Sequence, residues 1–164
     1  MKNWNTFSMR IVIDHAVKTV YECWATQDQI EKWFLEEASY YQGSEKRKPE
    51  ELVQKGDRFN WKWNNWNFTE KGEVLEANGK DFISFTFGSG GKVNVKLTEI
   101  NGMTEVTLTQ SDIPNDEKSK MEIYVGCSTG WTFWLTNLKA FLEHGITLHA
   151  TGLKQEETKD LVNS

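Results

Sequence analysis

The chain has 164 residues, near the usual size of one domain and long enough to bury a core without a disulfide or metal staple. Its formal net charge of −5 argues against binding to nucleic acid or an anionic membrane, which needs an excess of Lys and Arg, and nothing in it approaches the ~20 apolar residues of a membrane span. Aromatic residues make up 13% of the chain and include eight Trp, so wide rings are expected to fill much of the interior.

Phe7, Met9, Ile11 and Ile13 alternate with Ser8, Arg10 and Val12, the period of a strand with one buried face. Val17, Val20, Tyr21 and Trp24 then recur at helical spacing. Thr26, followed three residues later by Gln29, reads as a capping box that opens a second short helix with Ile30, Trp33 and Phe34 turned inward. Residues 36–56 are polar, carry the run Glu45-Lys46-Arg47-Lys48, and are expected as a long surface loop with at most an irregular strand near Tyr40. From Asp57 onward strands follow one another. Phe59, Trp61 and Trp63 alternate with polar neighbours, a strand runs from about Asn67 to Ala77, and Asn78-Gly79 is a hairpin signal before Asp81 to Phe87. Val93, Val95 and Leu97, a turn at Asn101-Gly102, and Val106 with Leu108 complete an antiparallel meander.

From Lys120 the period lengthens. Tyr124, Cys127, Trp131, Trp134, Leu135, Leu138, Phe141 and Leu142 share one helical face. Gly126 and Gly130, one turn apart within it, suggest a close approach to another element. Residues 1–150 are expected as a single domain, with 151–164 a polar tail that frays. The fold class is α+β, a curved antiparallel sheet of about six strands wrapped around the C-terminal helix, with two short helices after the first strand.

The chemistry-bearing residues are sparse. Cys23 and Cys127 match no metal or redox spacing and read as free thiols of a cytoplasmic protein. His15, His144 and His149 do not share a face with an orienting carboxylate, so no metal site, cofactor or catalytic residue is assigned. Trp61-Lys62-Trp63-Asn64-Asn65-Trp66 interleaves rings with one cation, as a single-strand nucleic-acid platform would, but the acidic chain favours an interior role for Trp61 and Trp63 with Trp66 covering an edge.

Several stretches together resemble a known family: Ala25-Thr26-Gln27-Asp28-Gln29-Ile30-Glu31-Lys32-Trp33-Phe34, the strand start Gly56-Asp57-Arg58-Phe59, Gly72-Glu73-Val74, and the helix Gly130-Trp131…Leu135…Leu138…Leu142. They are similar to the activator-of-heat-shock-protein-90-ATPase homologue group of the START-like (SRPBCC) superfamily, over roughly residues 7–145. The resemblance implies the helix-grip fold of the birch pollen allergen and a hydrophobic cavity, which in many members holds lipids, sterols, polyketides or plant hormones. The residue pattern places that cavity between Phe59, Trp61, Trp63, Phe85 and Val95 on the strands and Tyr124, Trp131, Trp134 and Leu138 on the helix. Its mouth is expected between the 36–56 loop, the strand turns and the start of the long helix. The leading expectation is a non-enzymatic binding module for a small hydrophobic molecule. The alternatives are a stress-related, co-chaperone-like accessory protein that contacts a chaperone or other protein, and a cyclase/aromatase-like enzyme.

Overall fold

The alternation at the start of the chain forms strand β1 (Phe7–Ile13), and the change of period after it forms helices α1 (Val17–Ala25) and α2 (Gln27–Trp33) in the computed structural model, which describes residues 1–164. Thr26 alone separates the helices; its hydroxyl accepts the Gln29 amide at 3.2 Å and caps α2. Val20, Tyr21, Trp24, Ile30 and Trp33 are buried, so both helices turn their apolar stripes to one core.

The 36–56 stretch is more ordered than its polarity suggests. Glu37–Gln42 is strand β2 and Glu45–Lys46 the short β3, joined by a tight turn. β2 pairs with β4 (Arg58–Lys62), setting Ala38 opposite Trp61 and Tyr40 opposite Phe59. These strands raise the count from the expected six to eight. A half-buried strand needs an apolar side chain only at every second position, and Ala38 and Tyr40 satisfy that between polar neighbours. The charge run is also not wholly a solvated face. Arg47 forms a two-pronged pair with Asp57, with Nη2 donating to Oδ1 at 2.9 Å and Nε donating to Oδ2. Asp57 is 1% exposed and accepts the Gln54 amide as well, the saturation that a buried carboxylate requires.

β5 (Glu70–Ala77), β6 (Phe82–Thr86), β7 (Lys92–Ile100) and β8 (Met103–Ser111) continue the meander, and the sheet order is β1-β8-β7-β6-β5-β4-β2-β3, antiparallel throughout. Asn101 and Gly102, at φ of 52° and 80°, make the two-residue turn between β7 and β8. A register shift between Val74 and Glu76 on β5 is the bulge that bends the sheet.

Across the concave face runs the long helical segment. It begins with a single α turn, α3 (Glu117–Ser119), passes through a π-helical stretch at Lys120–Val125, and continues as α4 (Gly126–His144). Gly145, at φ 67°, ends it in the left-handed conformation. Trp131, Trp134, Leu135 and Leu138 are buried against the sheet and α2. Asn137, also buried, ties the elements together: its Nδ2 donates to the Trp33 carbonyl at 2.6 Å and faces His149 Nδ1 at 3.1 Å, while its Oδ1 accepts the Leu148 amide at 2.6 Å.

The segment after the helix, expected from its polarity to fray, is hydrogen-bonded to the body. Asn65 grips it at two points, donating to the Ala150 carbonyl and accepting the Leu153 amide, and the Asn67 amide donates to Gln155. Thr158 is buried, and the Ala150 amide reaches the Asn163 carbonyl at 2.7 Å. Side-chain hooks, invisible to a hydrophobicity pattern, hold this segment in place. No helix is long and apolar enough to cross a membrane.

Candidate functional site

A cavity of about 480 Å³ opens between the sheet and the first turns of the long helix. Three parts of the chain form it. The loop after β4 contributes Trp63, Trp66 and Phe68, with Glu70 at the start of β5 beside them. The turn after β6 contributes Phe87 to Gly90. The helical segment contributes Ile123, Cys127, Gly130, Trp131 and Trp134, and Phe34, just past α2, closes the inner end. The rim is formed by the 63–70 and 87–90 segments, the helix start and Ser164. The 36–56 segment expected at the mouth does not line the cavity; its first half forms β2 and β3 at the far edge of the sheet instead.

Several rings around the opening meet at steep angles, while Phe34 and Trp131 stack at 5.2 Å and 24°. Phe34 stands edge-on to Trp63 at 5.6 Å and 89°, and to Trp134 at 5.3 Å and 85°. Trp63 meets Phe87 at 88°. Such edge contacts are favourable, but planes set at right angles leave corners unfilled. Glycine keeps the corners open. Gly126 and Gly130 both border the cavity, and a Cβ at either would meet nothing within 4 Å. The close approach expected at these two positions is therefore absent, and the missing side chains add to the void.

Beneath the cavity lies Gln110 of β8, fully buried. Its Oε1 accepts the Trp131 indole N–H at 2.9 Å, and its Nε2 donates to the Gly90 carbonyl at 2.9 Å. One side chain thus fixes a wall ring of the helix and the glycine turn to the same strand. The Cys127 thiol is pushed up from its ordinary range by burial, which a contact with Gln110 only partly offsets, so it is a poor nucleophile at neutral pH. The Glu70 carboxylate makes no hydrogen bond or ion pair, and burial raises its pKa above the usual range. Glu122 stands at the rim, 3.8 Å from Lys118 in an exposed pair. No three His, Cys, Asp or Glu side chains converge as a metal-binding group.

The residues proposed from the sequence fall into three sets. Trp63, Trp131 and Trp134 stand on the cavity wall. Phe59, Trp61, Phe85, Val95 and Leu138 lie on the faces expected but deeper, in solid core at 2% exposure or less. Tyr124 is elsewhere, edge-on to Trp4 at 5.0 Å and Phe7 at 5.3 Å. The π-helical stretch explains this: an i→i+5 turn holds an extra residue, so a 3.6-residue projection from α4 fails upstream of Gly126 and Ile123 faces the cavity instead. Phe34, Trp66, Phe68, Glu70 and Phe87 were missed as wall residues. Three of them left a signal: helical spacing turns Phe34 inward, Phe87 is in phase with Phe85, and Glu70 is in phase with inward-facing Val74 on β5.

The profile described as "Activator of Hsp90 ATPase homolog 1-like protein" matches residues 14–143. No curated protein matches the sequence. Among solved structures, the protein SSP2350 of Staphylococcus saprophyticus is 20% identical with a TM-score of 0.71, over 89% of this chain and 97% of that one. The Aha1 dimer of Colwellia psychrerythraea is 18% identical with a TM-score of 0.65, over 85% of this chain and 97% of that one. CalU16 of Micromonospora echinospora is 18% identical with a TM-score of 0.63, over 87% and 76%. At these identities the structures speak for the fold, a curved antiparallel sheet with a long C-terminal helix. The profile spans most of the sequence, and the chain belongs to the Activator of Hsp90 ATPase homolog 1-like family.

Proposed function

We propose that the protein is a non-enzymatic binding module that holds a small hydrophobic molecule between the sheet and the start of the long helix. The observation that carries this reading is the cavity itself: about 480 Å³, the volume of a typical small-molecule site, walled largely by Phe and Trp rings. Its polar groups do not pair as a nucleophile with a base or as two carboxylates sharing a proton, which leaves the cyclase-like alternative without a residue to carry it. Two free thiols are in keeping with a cytoplasmic setting. The contact with a chaperone or other protein that the family resemblance implies has the exposed Phe68 and Met121 in its favour.

Native mass spectrometry of freshly purified protein should show a mass above that of the chain. A polarity-sensitive apolar dye should bind at about micromolar Kd and quench Trp fluorescence. Dye binding no tighter than to an unrelated domain of like charge would overturn the reading.

A further inference from the structure

The charge and ring pattern of the cavity selects among apolar ligands, and the inference here rests on the binding reading above. The only charged side chains on the wall are Glu70 and Glu122; no Lys, Arg or His lines it. Glu122 lies at the rim and shares Lys118, but Glu70 is different. Strand alternation on β5 sets Glu70 in phase with Gly72 and buried Val74, so the carboxylate is carried on the inward face beside Trp66, Phe68 and Phe87. It has neither cation nor N–H partner. The carboxylate stands in the place a side chain at Gly88 would take, since a Cβ there would lie 2.6 Å from Glu70 Oε1. A partly desolvated carboxylate without a partner is a cost that folding alone does not recover. A positive charge in the cavity would offset it.

The rings point the same way. The π face of an indole is the best aromatic surface for a cation, and quaternary ammonium groups are recognised by such walls. Trp63, Trp66, Trp131 and Trp134 all border the cavity, and the Trp131 N–H edge is already committed to Gln110. A fatty-acid carboxylate would meet both the Glu70 charge and the negative faces of these rings. We infer that the ligand is an organic cation with an apolar body, an amine or quaternary ammonium whose charge sits between Glu70 and the tryptophan faces.

A matched probe set tests this: phenylbutyltrimethylammonium, its uncharged tert-butyl isostere, and phenylpentanoate, followed by Trp quenching in about 0.15 M salt to screen the chain's overall negative charge. The cation should bind at least about tenfold more tightly than the carboxylate, with the isostere between them. Glu70→Gln should weaken the cation about five- to tenfold and the isostere by much less. Equal or tighter binding of phenylpentanoate overturns the inference, as does a Glu70→Gln variant that loses nothing for the cation. Binding of the neutral isostere alone would leave the pocket standing and sink the cation. Failure of all three probes would sink the pocket reading with it. The comparison of probes on the wild-type chain decides the question even if Glu70→Gln does not fold.

Discussion

Three aromatic residues of one strand and its exit divide the molecule. Phe59 and Trp61 lie stacked with ring centroids 4.0 Å apart and planes 19° off parallel, each 1% exposed, over a solid core. Trp63, two residues on, borders a void. The glycines show the same division. At Gly72 on β5 the space a Cβ would take is filled by the Phe59 ring, and the Thr86 hydroxyl would be 2.5 Å away. At Gly126 and Gly130 the corresponding space is empty. At the packed end a parallel ring pair and a borrowed side-chain position leave Phe59 and Trp61 buried. At the open end, crossed rings such as Phe34 with Trp63 and Trp63 with Phe87, together with bare backbone, border a void. Aromatic content alone therefore does not make a pocket, and neither does ring angle, since Trp61 meets Phe85 at 70° in the core while Phe34 stacks on Trp131 at 24° on the wall; the presence or absence of a neighbour at each glycine tells the two ends apart.

The contrast can be broken most decisively at the two strand-end tryptophans. Trp61→Ala should cost about 3–5 kcal/mol in denaturant unfolding, because it empties a packed site and leaves the Tyr40 hydroxyl without the Trp61 N–H that donates to it at 3.0 Å. Trp63→Ala should cost no more than about half of that and should instead reduce dye binding, since one side of its ring already faces open space. Equal stability losses would mean that the two ends are packed alike.

A smaller effect, with opposite signs, is expected at the glycines. Gly72→Ala should destabilise by about 1–3 kcal/mol by forcing Phe59 from its seat. Gly130→Ala should stabilise by up to about 1 kcal/mol through helix propensity while weakening dye binding, because the added methyl enters the cavity. A destabilised Gly130→Ala would restore the close approach that the sequence suggested.

The smallest effect concerns pH at the hollow end. His149 packs against Trp134 at 5.6 Å and faces Asn137, and burial holds its pKa below the ordinary value. A ring nitrogen that accepts from Asn137 must be unprotonated, which agrees with that direction. The unfolded chain takes up the proton first, near pH 6.5, so this contribution is full above that pH and is lost as pH falls through it. Denaturant midpoints measured from pH 7.5 to 5.5 should fall, and His149→Gln should flatten the decline. An unchanged slope in the variant would remove His149 as its source.

Much of the architecture was legible because it rests on local signals. Thr26 caps α2, Asn101-Gly102 turns β7 into β8, and periodicity located the helices and most strands. β2 escaped because Ala38 and Tyr40 are too few against their polar neighbours, and Arg47 because a paired buried charge looks like a solvated one until Asp57 is seen beside it. The site was legible as faces only. Alternation assigned Phe59, Trp61 and Trp63 to the same side correctly, but it carries no information on depth, and depth separates core from wall. Phe68 lies in a loop, where no period applies, and Phe87, though in phase with Phe85, sits just past the strand end.

The π-helical stretch at Lys120–Val125 carries a consequence for chain length. Ile123 and Tyr124 are adjacent, yet one serves the cavity and the other the N-terminal ring cluster of Trp4 and Phe7. Removing any one residue of the stretch would let the helix run with regular α hydrogen bonds, and everything before the deletion would swing by about 100° around its axis. The two assignments would then be lost together without a single wall residue being substituted. Insertions and deletions at this turn are thus a route to new pocket shapes in this fold, and here a count of residues shapes the cavity wall as firmly as their identity does.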